Sequence, residues 1–161
     1  MILGMTLSTF TLVHVVISLV AIVSGIVVMF GMLGSNRMPA LTALFLITTI
    51  ATSATGFLFP FTTLLPSHMV GILSLVLLLI AVIALYGFTL SGAWRWVYVM
   101  TALASLYLNV FVLIIQGFQK VGALKALAPT QSEPPFLIVQ CLVLVVFVLF
   151  GIGAVRRFRP V

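Results

Sequence analysis

The chain has 161 residues, of which 64% are apolar and only 5% charged, and its net charge is +6. A soluble domain carries about 25% charged residues, so a water-exposed surface is excluded and lipid is the expected surrounding. The seven Lys and Arg are scattered among apolar segments with no basic patch interleaved with aromatics, which excludes nucleic acid as a partner.

A membrane-spanning helix needs about 20 mostly apolar residues, and five segments meet that length. In chain order they are Leu7 to Leu33, Pro39 to Phe59, His68 to Phe88, Trp96 to Phe118 and Phe136 to Val155. The breaks between them hold Gly, Pro or charge: Gly34-Ser35-Asn36-Arg37, Pro60 and Pro66, Ser91-Gly92-Ala93-Trp94-Arg95, and Pro134-Pro135. The first apolar run is too long for a signal h-region of about 7–15 residues and is expected to be a retained helix. Ser67 is the expected N-cap of the third helix. Between the fourth and fifth spans, Val121 to Ala128 is expected as a short helix and Pro129 to Pro135 as extended chain. The predicted fold is therefore an all-α integral membrane bundle of about five transmembrane helices in one domain, residues 1–161.

Basic residues set the expected orientation. Arg37, Arg95, Arg156, Arg157 and Arg159 fall on one side, and Lys120 and Lys125 on the other with Glu133. The five-to-two split places the arginine side and the C-terminus in the cytoplasm and the N-terminus outside. Trp94, Trp96 and Tyr98 flank Arg95 as an expected interfacial anchor. The lone Cys141 reads as a small core hydrophobe.

Polar side chains inside the spans are the candidates for function. His14, Ser18, Ala21 and Gly25 share one face of the first helix, so His14 is expected to face the bundle interior. On the second helix Thr48, Thr52 and Gly56, with Thr49 and Ser53, read as a packing seam. His68 opens the third helix. The fourth carries Ser105, Asn109, Gln116 and Lys120 near one face with Tyr107 beside them, and Asn109 is expected to bond a neighbouring helix. Gln140 lies about one turn into the fifth. His14, His68, Gln116 and Gln140 all fall in the outer half of the membrane, which predicts a site opening outward and an inner half almost without buried polar groups.

The chemistry is bounded by what is missing. No Asp or Glu lies within a span, which argues against carboxylate-coupled transport and against a Ser-His-Asp site. Two histidines fall short of a zinc site, and no catalytic set is expected. Two imidazoles can hold one haem axially, with His14 and His68 as metal ligands in that case alone. His14 lies about five residues deeper than His68, a mismatch of roughly 8 Å that a tilt or a dip at Pro60 to Pro66 would have to close. A quinone or another lipid-like ligand bonded by His14, His68, Gln116 and Gln140 is the other ligand reading, with Ser18, Asn109, Tyr107 and Lys120 as structural polar groups. The alternative class is a non-catalytic accessory or assembly subunit packing against a larger membrane complex or a second copy of itself.

Four stretches resemble a family of small, uncharacterised bacterial inner-membrane proteins: Phe57-Leu58-Phe59-Pro60-Phe61, Leu65-Pro66-Ser67-His68, Tyr107-Leu108-Asn109-Val110-Phe111-Val112, and Ala128-Pro129-Thr130-Gln131-Ser132-Glu133-Pro134-Pro135-Phe136. The resemblance implies a multi-pass protein of a bacterial inner membrane and carries no activity. A more general likeness to b-type cytochrome bundles implies one haem at most.

Overall fold

The computed structural model describes residues 1–63 and 66–160. Leu64 and Leu65 lie outside them, and with them part of the expected dip between Pro60 and Pro66. The described residues form helices, with a single isolated bridge between Ile2 and Met5.

Helix α1 runs Leu7–Leu33 and starts at Thr6, whose hydroxyl accepts the Thr9 N–H at 3.2 Å, satisfying one of the orphan donors of the first turn. Helix α2, Pro39–Gly56, follows Met38 in the left-handed region (φ 43°) and has proline in its first turn, where no N–H is needed. Helix α3, Pro66–Val82, runs into a π turn over Ile83–Gly87. Helix α4 is Trp94–Lys120, α5 is the short Gly122–Leu127, and α6 is Pro134–Arg157. Five of these, counting α3 with its π turn as Pro66–Gly87, are long and apolar enough to span a membrane.

The boundaries depart from the sequence expectation at the ends. Helix α2 stops at Gly56 rather than Phe59, because Phe59 precedes Pro60, which disfavours the helical region. Ser67 is the second residue of α3 rather than its cap. The segment after α5 is not extended to Pro135. Gln131 turns through φ 61°, and both Pro134 and Pro135 already belong to α6.

Helices α1, α2, α3 and α4 close a ring in which α1 packs on α2, α2 on α3, α3 on α4 and α4 on α1. Helix α6 lies against α4 and α1. The main core sits at the end that carries the arginines, where Met32, Phe45, Leu78, Val99, Leu106 and Phe158 are buried. Gly25 lets α1 approach there: a Cβ on it would lie 2.6 Å from Leu106 Cδ1 and 2.8 Å from the Phe45 ring. Ser24, Thr42 and Ser105 are also buried at or near this end, so it is less free of polar groups than expected. Each hydroxyl bonds a backbone carbonyl instead of a ligand space.

Tyr98 is in the core, 1% exposed and packed near Phe158, rather than an interfacial anchor. Cys141 is on the outside of α6, where a weakly polar thiol faces the same surroundings as its exposed neighbours Leu142 and Val145. Large apolar side chains such as Val23, Ile47, Leu79 and Leu149 are more than 60% exposed. That outer surface is incompatible with water and matches a multi-pass membrane protein.

Candidate functional site

Away from the arginine end the four-helix ring opens into a cavity of about 540 Å³, within the ~300–1,000 Å³ span of small-molecule sites. Its wall is made by the first half of α1, the last turns of α2, the first turns of α3 and the last half of α4. Direction of travel explains the grouping, since these four stretches all belong to the end that carries Lys120. His14, Ser18, His68, Asn109, Gln116 and Lys120 all line the cavity.

His14 faces the interior, as its stripe on α1 predicts. Its Nδ1 lies 2.8 Å from the Thr55 hydroxyl on α2. That hydroxyl donates its one hydrogen to its own helix, to the Ala51 carbonyl at 2.6 Å. With that hydrogen on Ala51, Thr55 is left to accept from the ring, which assigns the hydrogen of the neutral imidazole to Nδ1 and a lone pair to Nε2. Ser18 donates to the His14 carbonyl at 2.8 Å and is held along the helix. Phe59 meets the His14 ring edge-on, centroids 5.1 Å apart, and packs on Phe10.

His68 is 5% exposed and lies between Phe57 and Phe61, with centroids at 5.6 and 4.2 Å. Gly71, one turn on, lets α3 approach the Phe57 ring: a Cβ there would lie 3.1 Å from it. Deeper in the wall Ser53 donates to Ser74 at 3.2 Å, tying α2 to α3. The bland packing-seam reading thus holds for Ser53 and for Thr49, which bonds the Phe45 carbonyl.

Thr52 and Asn109 behave differently. Both residues line the cavity, and Thr52 Oγ1 and Asn109 Nδ2 are buried with no hydrogen-bond partner among the described residues. The expected interhelical bond of Asn109 is not made among the described residues, and the residue lines the cavity.

Gln140 and Tyr107 stand apart from the site. Gln140 is buried between α6 and α4 and donates to the Phe111 carbonyl at 3.3 Å. Tyr107 packs edge-on against Phe147 of α6 at 5.5 Å. Neither lines the cavity. Lys120 ends α4 at its rim. The single acid, Glu133, is engaged elsewhere by Thr130 and Ser132. Thr55, which fixes the His14 ring, was not singled out in the sequence, since a helical threonine beside Gly56 looks like any packing residue. Among the described residues no three His, Cys, Asp or Glu gather to hold a metal ion.

The chain matches no family model, and no curated protein and no solved structure is significantly similar to it.

Proposed function

We propose that the protein binds a lipid-like ligand with carbonyl oxygens, a quinone, in the cavity between α1, α2, α3 and α4. One observation carries this reading: two buried polar atoms, Asn109 Nδ2 and Thr52 Oγ1, have no hydrogen-bond partner among the described residues, and both residues line one cavity. A buried donor without a partner costs about 1–3 kcal/mol, and a ligand's acceptor oxygens would remove that cost. Apolar neighbours such as Val112 and Leu113, together with Phe59 and Ile22, suit a ring and a hydrocarbon tail. The absence of any acid in the spans suits a neutral ligand better than a cation. With the arginines in the cytoplasm, the cavity lies in the outer leaflet of a bacterial inner membrane.

Titration of the purified protein in lipid nanodiscs with a short-chain benzoquinone tests this. Binding should weaken at least about tenfold in the double variant Asn109→Leu, Thr52→Val, the discrimination of one or two lost hydrogen bonds, with the melting temperature kept. Unchanged binding in that variant would remove the site.

His14 supports a second reading, one b-type haem. An axial histidine presents Nε2 while its Nδ1–H is held by an outer partner, and Thr55 is placed to be that partner. A reducible haem spectrum from the purified protein, lost in His14→Ala, decides for it; colourless protein grown with haem supplied decides against it.

A further inference from the structure

We propose that His14 makes the cavity prefer the quinol, the hydroxyl-bearing reduced form, over the oxidised quinone. The inference rests on the quinone reading and concerns which form of that ligand the wall selects. Ligand oxygens meet two kinds of partner here. Asn109 Nδ2 and Thr52 Oγ1 offer hydrogen to an acceptor. His14 Nε2 offers only a lone pair, because Thr55 spends its hydrogen on Ala51 and so takes the ring's hydrogen at Nδ1. No described residue bonds that Nε2, and His14 is half-buried on the cavity wall.

A quinone oxygen accepts and cannot donate. Against His14 it would set lone pair against lone pair. A quinol hydroxyl donates to Nε2 and can still accept from Asn109 or Thr52 at its other oxygen, so it satisfies both kinds of wall. No carboxylate competes for this role, since the only acid in the chain, Glu133, lies outside the spans and outside the cavity wall. Thr55 is then a positioning residue: it touches no ligand in this account but decides which ring nitrogen faces the cavity.

The test compares the two redox forms of one short-chain benzoquinone, titrated anaerobically into nanodiscs holding the full chain. The natural sequence should bind the quinol about tenfold more tightly, the worth of one well-placed buried hydrogen bond. His14→Phe keeps an aromatic against Phe59 and leaves the Thr55 hydroxyl bonded to Ala51. It should bring the ratio to within about twofold by weakening the quinol and relieving the lone-pair clash with the quinone, and a retained cooperative melting transition reports that the fold survives. Thr55→Val should lower the ratio without abolishing binding, because the ring is free to present either nitrogen. A ratio near one in the natural sequence, or a preference that survives His14→Phe, overturns the inference and leaves the quinone reading standing. If neither form binds, the quinone reading fails and takes the inference with it.

Discussion

Asn109 and Arg95 show opposite solutions to the same problem, a polar group in or near lipid. Arg95 is partly buried at the start of α4, and its Nη1 donates to the carbonyls of Val155 at 2.9 Å and Phe158 at 2.5 Å. These belong to the C-terminal end of α6, where helix carbonyls have no partner of their own and the dipole favours a cation. Arg95→Met should cost about 1.5–3 kcal/mol, the worth of hydrogen bonds to a charged donor, read as a fall in melting temperature in detergent; no fall would show that the cap is ornamental. Asn109 Nδ2 has no such partner among the described residues, so Asn109→Leu should leave the ligand-free protein as stable or up to about 1 kcal/mol more so. A destabilised Asn109→Leu would mean that its amide is satisfied. At this scale the sequence told which residues travel together. His14, His68, Gln116 and Lys120 share one end because their helices begin or finish there. It could not tell that Gln140 turns toward Phe111, because which face of α6 meets α4 is set by packing and not by position along the chain.

Helices were the most legible level, since twenty apolar residues must span whatever their neighbours are. All five spans are present, the first with the expected bounds, and the discrepancies in the others lie in their terminal turns. Prolines explain most of them: Pro134 and Pro135 start α6 early, and Pro60 releases Phe57 and Phe59 from α2 to pack on the two imidazoles. Where α1 meets α2 and α4 the contact depends on Gly25. Gly25→Val must displace Leu106 and Phe45, and is expected to cost about 1–3 kcal/mol of stability, as overpacked cores do; an unchanged melting temperature would show that the helices can part freely. Ahead of α6, Glu133 closes a turn by accepting from the Thr130 hydroxyl at 2.8 Å and from the backbone N–H groups of Thr130 and Ser132. Desolvation pushes this carboxyl up, but the hydrogen bonds outweigh it and hold it below its ordinary value. A lowered value means that the turn is stabilised above the ordinary carboxylate range and loses that support as the pH falls through the folded value. Amide exchange at Thr130 and Ser132 should therefore be protected at neutral pH and lose its protection on acidification. In Glu133→Gln the protection should be weak and independent of pH, and strong protection there would sink the account.

At the scale of the whole molecule, one half of the bundle is packed and the other is hollow, and the five-to-two split of basic residues predicts which half faces the cytoplasm. A reporter fused after residue 160 should be active on the cytoplasmic side and one placed in the segment between Lys120 and Pro134 on the opposite side; the reverse pattern would move the cavity to the inner leaflet. The arginine half has a further property that concerns how the protein is made. Phe158, 2% exposed, fills the core among residues of the earlier helices, and the Arg159 N–H donates to Ser35 beyond the end of α1 at 2.8 Å. These residues leave the ribosome after helices α1 to α6 have been synthesised. Until then the first four helices wait in the bilayer with a gap where Phe158 belongs and with Arg95 lacking the carbonyls it will cap. Closure of this half of the bundle thus waits for the residues that follow α6, and a chain stopped just short of Phe158 would carry the five helices with that gap still open.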